Sequence, residues 1–165
     1  MSVAALQQQL AASHLDEVKL KSYFDQLCLS IGASMIRDHS QLSLKVDCDD
    51  SAVTAEISIS LGLIVTELVI NSLKHAYPGG RKGGIVVTYH RHGPNWTLSV
   101  ADDGVGMPTD ADSATPGLGT SIVEALAKQL QARVQVTGGH PGTTVSIIHT
   151  RISAVNEDAQ AGQAV

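Results

Sequence analysis

The sequence predicts a two-layer α/β sandwich, with three main helices over one mixed β-sheet. Three observations carry that expectation. Apolar residues recur at helical spacing in three long stretches, and five short stretches alternate with period two. Breaks rich in glycine, proline and aspartate separate them. The 165 residues are 43% apolar and 16% charged, a globular composition sized for one domain around one core.

Residues 2–13 are helix formers, and 19–35 place Leu20, Tyr23, Phe24, Leu27 and Ile31 on one helical side. Residues 42–47 alternate as a strand does, and a polar turn over 47–51 leads to a short extended piece. Ser58 or Ser60 then offers an N-cap for a strongly apolar helix running to about Tyr77. Pro78-Gly79-Gly80 ends it, because proline cannot continue the hydrogen-bond ladder. Residues 84–92 and 96–101 read as a hairpin turning at Gly93-Pro94-Asn95, and 103–119 as a loop. An amphipathic helix over 118–130 and strands over 133–137 and 143–150 close the fold. By this division 19–151 is the folded domain, 1–18 a leading segment and 152–165 a flexible tail.

Composition excludes several functions. A net charge of −5 argues against a broad nucleic-acid or anionic-membrane surface, and few aromatic residues are present to stack bases. Cys28 and Cys48 have no C-x-x-C spacing, so neither a disulfide framework nor a cysteine zinc site is expected. No run approaches the ~18 uninterrupted apolar residues of a membrane span, and the first ten residues lack the basic leader of a signal peptide. The expected compartment is the cytoplasm.

Four clusters carry chemistry. On the third long helix, Glu67, Asn71, Lys74 and His75 fall within an arc of roughly 100°, while Leu61, Val65, Leu68, Val69 and Ala76 lie on the other side. A carboxylate and an amide oxygen are hard ligands suited to Mg²⁺ or its bound water, and an amine and an imidazole suit phosphate. The same four residues also make an ordinary solvated face, with Lys74 and His75 complementing the helix dipole. Next, Asp102-Asp103-Gly104-Val105-Gly106 follows a strand. A carboxylate there can accept from an exocyclic amine while the glycines let backbone approach a ligand; a polar turn would read the same. Gly117-Leu118-Gly119 before Thr120 and Ser121 opens a helix, either as an anion site or as a capped turn. Finally, Gly142-Thr143-Thr144 begins the last strand, where a hydroxyl can face a nucleotide or simply favour the strand.

The order of the four is distinctive. A helical E-x-x-x-N, a strand ending in D-x-G-x-G, a G-x-G helix start and a G-T strand start resemble the Bergerat, or GHKL, nucleotide-binding fold. Sensor histidine kinases, gyrase-type topoisomerases, Hsp90-type chaperones and MutL-type repair ATPases share it. Within that superfamily Glu67-Leu-Val-Ile-Asn71-Ser-Leu-Lys74-His75-Ala-Tyr-Pro78 and Gly117-Leu-Gly-Thr-Ser-Ile-Val123 resemble sensor histidine kinases of a branch close to the HWE type. Trp96 lies too far upstream for the W-x-E of HWE proper, which points to a neighbouring branch. The stretch from His14 to Tyr23 is similar to that branch's junction between dimerisation helices and catalytic domain.

The resemblance implies a protein-histidine kinase domain using ATP and Mg²⁺. Asn71 would hold Mg²⁺, Lys74 and His75 would contact the phosphates, and Asp102 would accept the adenine amino hydrogen. Gly104 and Gly106 would shape the adenine pocket, Gly117 and Gly119 the phosphate end, and Thr143 would complete the adenine side. Glu67 would act as a base or orient a Mg²⁺-bound water or the incoming imidazole. The expected partners are a dimerisation hairpin bearing the phosphoacceptor histidine, which this chain lacks, and a response regulator, with no nucleic acid and no direct membrane contact. The domain is expected to be monomeric, cut from a longer kinase or acting in trans. The alternatives are an anti-sigma-factor serine kinase of the same fold and a non-catalytic docking module. His90 and His92 share a strand face without a third metal ligand nearby, Cys28 reads as a core residue, and Trp96 as a cover for the sheet edge.

Overall fold

The computed structural model describes residues 2–12, 17–106, 118–138 and 141–151, with backbone only for 8–12 and 118–120. Eleven regular elements follow from these residues in chain order, apart from a short 3-10 turn at Pro78–Gly80. Helix α1 (Val3–Ala12) starts where the Ser2 hydroxyl accepts the Ala5 N–H, and it sends Leu6 into the core. The two-residue strand β1 (Val18–Lys19) leads into helix α2 (Leu20–Met35). Its buried stripe of Leu20, Tyr23, Phe24, Leu27, Cys28 and Ile31 has the spacing expected of a core-facing helix. Strand β2 (Leu42–Cys48) and the short β3 (Ala52–Val53) come next, and β3 pairs antiparallel with β1.

Helix α3 (Ala55–His75) begins one turn earlier than the serines at 58 and 60 led us to expect. Thr54 is the N-cap, its hydroxyl accepting the Ile57 N–H at 3.3 Å. Ser58 is instead fully buried, and its hydroxyl bonds back to the Ala55 carbonyl at 2.7 Å. Strands β4 (Gly83–His92) and β5 (Asn95–Asp102) form the expected hairpin, with Gly93 at φ 59° supplying the left-handed turn. Helix α4 (Leu118–Gln129) and the hairpin of β6 (Arg133–Gly138) and β7 (Thr143–His149) complete the chain.

The five longer strands run in the order β2-β4-β5-β7-β6. Only β2 and β4 are parallel, as a crossover through α3 requires, so the sheet is mixed. Ile85, Val87, Tyr89, Leu98, Val100 and Ile147 face the helices and join one core cluster with α2 and α3. The alternate residues form the other face, where Ser99 and Ser146 hydrogen-bond across β5 and β7 at 2.9 Å. Alone among the described helices, α3 has the length and mean hydropathy, 1.5, of a membrane span; here it is the central helix, packed against α1, α2 and α4.

A column of rings crosses the core from α2 to the end of the sheet. Phe24 meets Tyr89 edge-on, Tyr89 stacks on Trp96, and Trp96 stacks on His149 at 5.5 Å and 9°. Trp96 therefore does not cover the sheet edge: its strand is central, and its ring lies between two others on the helix-side face. Cys28 is buried as expected, and burial pushes its thiol up to about 12.

Candidate functional site

The second half of α3 lies over the end of β5, and that contact brings the clusters together. Residues 67, 71, 74 and 75 all sit on α3, with Glu67 and Asn71 half-buried and Lys74 and His75 exposed. Asn71 is followed by Ser72, which the 100° step turns toward the sheet. Its hydroxyl donates to Asp102 Oδ2 at 3.0 Å, while Asp102 Oδ1 accepts the Gly104 N–H at 3.1 Å. Each oxygen of this half-buried carboxylate is thus held once and retains a second lone-pair direction.

Glycines surround that carboxylate for steric reasons. A Cβ on Gly104 would collide with the carbonyl and side chain of Ala76, and one on Gly142 with the Asp102 carbonyl. Gly142 also has φ +109°, and Gly106 has φ 79°, both in the region L side chains avoid. Thr143 is the register partner of Asp102 across β5 and β7, so the first residue of the last strand stands beside the last residue of the central one.

The structure therefore gathers Asp102, Gly104, Gly106 and Thr143 at one end of the sheet, under the helix that bears Glu67, Asn71, Lys74 and His75. Gly119 lies in the first turn of α4, which packs beside α3. Gly117, the loop over 107–116 and His14 lie outside the described residues.

Sequence reading missed Ser72, Tyr77 and Asp103. The Tyr77 hydroxyl lies 2.8 Å from the Gly84 carbonyl oxygen and 3.0 Å from Asp103 Oδ1, which also accepts the Gly84 N–H at 2.8 Å. The Gly84 amide and the Tyr77 hydroxyl hold the Asp103 carboxyl below its ordinary range, against a smaller effect of burial. The one available signal was a serine on the apolar side of α3; nothing local marks a partner 30 residues away.

These residues suit an adenine nucleotide with a hard divalent cation. The anchored carboxylate can accept from an exocyclic amine, the glycines let α3, β5 and β7 close around it without side chains in the way, and the Glu67 and Asn71 oxygens are the donors Mg²⁺ prefers. No group of three His, Cys, Asp or Glu side chains among the described residues could hold a metal by itself. His90 instead faces Asp47 at 3.6 Å. A cavity of about 520 Å³ between α4 and β6, lined by Ser121, Glu124 and Lys128, lies apart from Asp102.

Residues 56–153 match the family described as histidine kinase-, DNA gyrase B-, and HSP90-like ATPase. The chain belongs to this family. Among its relatives is Blue-light-activated histidine kinase 2 of Erythrobacter litoralis, 33% identical over 141 residues. The alignment spans 83% of this chain but only 40% of that protein. The histidine kinase domain of the E. litoralis EL346 blue-light activated histidine kinase superposes with a TM-score of 0.76 at 28% identity, covering 89% of this chain and 75% of that one. Acinetobacter baumannii histidine kinase AdeS, at 16% identity, shares the fold with a TM-score of 0.65 over 92% of this chain and 76% of its own. By family and by fold this is an ATP-binding catalytic domain of the histidine kinase type, and the mixed five-stranded sheet is the one the sequence predicted.

Proposed function

We propose that the chain binds Mg-ATP and transfers its γ-phosphate to a histidine on a dimerisation hairpin, from which a response regulator takes it. The imidazole nitrogen of that histidine forms the new P–N bond as the bond to the β–γ bridging oxygen breaks and ADP leaves. Asp102 accepts the adenine amino hydrogen, Thr143 lies beside it, and Gly104 and Gly106 let the backbone approach the base. Lys74 and His75 neutralise phosphate charge, and the glycines at 117 and 119 admit the phosphates at the start of α4. Asn71 would hold Mg²⁺, which when bound would supply the charge neutralisation a transferring phosphoryl group needs. Glu67, one turn before Asn71, would orient the incoming imidazole or a water on the ion. ATP and the response regulator place the reaction in the cytoplasm.

The observation that supports this reading best is the anchoring of Asp102. A carboxylate held on both oxygens at the end of a strand, with flanking glycines that admit no side chain, suits the reading of a planar base. Calorimetry with a Mg-bound non-hydrolysable ATP analogue tests it. We expect saturable one-to-one binding, weakened at least tenfold, about 1.4 kcal/mol, by Asp102→Asn. No binding by the folded wild-type chain at millimolar nucleotide would overturn the reading. With a hairpin supplied in trans, the phosphate transferred must be acid-labile, as on histidine; an acid-stable product would point to serine.

A further inference from the structure

Tyr77 and Asp103 belong to neither end of the nucleotide site, yet they join its two ends. Tyr77 follows α3 by two residues, Asp103 follows Asp102, and Gly83 and Gly84 open β4. The Tyr77 side chain is buried, with 8% of the residue exposed. Its one hydroxyl proton lies between the Gly84 carbonyl oxygen and Asp103 Oδ1. Burial, and then the neighbouring Asp103, hold that hydroxyl well above the ordinary tyrosine range, so it stays a donor at physiological pH. A side chain at Gly83 would run into both Tyr77 and Asp103. One residue before Tyr77 and two after Asp103, the Val105 N–H donates to the Ala76 carbonyl at 2.9 Å. The last turn of α3, the start of β4 and the loop leaving β5 are thereby closed into one ring.

Lys74 and His75 stand immediately before that ring. Their side chains are exposed and make no hydrogen bond or ion pair with the described residues, so only the backbone, which sets where their stems begin, limits how far their charges can reach. Beyond Tyr77 the chain enters Gly79 and Gly80, both at positive φ, where an added side chain would meet open space. The polar ties that join this end of the helix to the end of β5 are Ser72 on Asp102 and the ring itself, beside the apolar packing of Leu73 and Ala76.

We propose that Tyr77 and Asp103 are positioning residues for the nucleotide. Their shared hydrogen bond fixes the distance between Asp102, where the base is read, and Lys74 and His75, where the phosphates are held. This rests on the ATP reading above. Because the bond joins the two ends and touches neither, its loss weakens the triphosphate's contribution to binding and spares the base.

The test compares a Mg-bound non-hydrolysable ATP analogue, titrated by calorimetry, with adenosine, titrated by NMR shifts. Tyr77→Phe keeps the ring packed against Gly83, and Asp103→Asn keeps an oxygen facing the Gly84 N–H and the Tyr77 hydroxyl. Removing the bond with Tyr77→Phe or Asp103→Ala is expected to weaken the analogue about tenfold while adenosine changes less than about twofold. The double variant should lose clearly less than the sum of the two single losses, since both remove the shared Tyr77–Asp103 bond, and Asp103→Asn should recover most of the affinity. Equal losses for analogue and adenosine, additive losses in the double variant, or no loss would overturn the proposal. A folded wild-type chain that binds neither ligand would remove the ATP reading beneath it, an outcome distinct from all of these.

Discussion

At the strand end, Asp102 is tied by Ser72 and Gly104, walled by Ala76 and Gly142, and set in register with Thr143 before any ligand arrives. On α3, Lys74 and His75 stand exposed without a hydrogen bond or ion pair to the described residues. On the proposed reading, the base end is preorganised by backbone and small residues, whereas the phosphate end presents charges and leaves their final arrangement to the ligand. The physics favours this division. A planar base is recognised by fixed geometry, and little can be adjusted once it is stacked in place. Phosphates and their cation interact over several ångströms, so charges on flexible stems reach them without prior ordering.

Breaking the phosphate end alone gives the largest expected effect. In Asn71→Ala, phosphotransfer to a supplied hairpin should fall about 100-fold, or ~2.7 kcal/mol of transition-state stabilisation, while adenosine binding stays unchanged. A parallel loss of adenosine binding would mean that the two ends are not separable. Breaking the base end calls for Gly142→Ala, which forces a Cβ into the Asp102 carbonyl at a positive φ. The expected cost is about 2 kcal/mol of folding stability, read as a lower urea midpoint, with base binding lost alongside it. Ser72→Ala sharpens the comparison most gently. It removes one of the two ties on Asp102, and adenosine affinity should fall roughly fivefold, about 1 kcal/mol, with a urea midpoint close to wild type.

Much of this was legible in the sequence because it is written in local patterns. The α2 stripe of Leu20, Tyr23, Phe24, Leu27 and Ile31 is a periodicity, and the Gly93 turn between β4 and β5 is a short-range signal. The site clusters were legible for the same reason, each being a run of a few residues. Pairs made by folding were not. Ser72 meets Asp102 across 30 residues and Tyr77 meets Asp103 across 26, and neither pairing leaves a mark on the intervening chain. The start of α3 was misread for a related reason: Thr54, Ser58 and Ser60 are all acceptable caps in isolation. Which one serves depends on burial, which takes Ser58 into the core.

The stacking of Trp96 on His149 has an experimental consequence. The chain has one tryptophan, six residues along β5 from Asp102 and hence about 20 Å from it, at the hairpin end of the sheet. Its emission is a natural optical gauge of whether the core is assembled, since unfolding separates the indole from both neighbouring rings. The same signal stays silent when the opposite end of the strand fills. Folding and occupancy can then be followed independently in one cuvette, the first through the indole and the second through a labelled nucleotide, with no engineered probe in the chain.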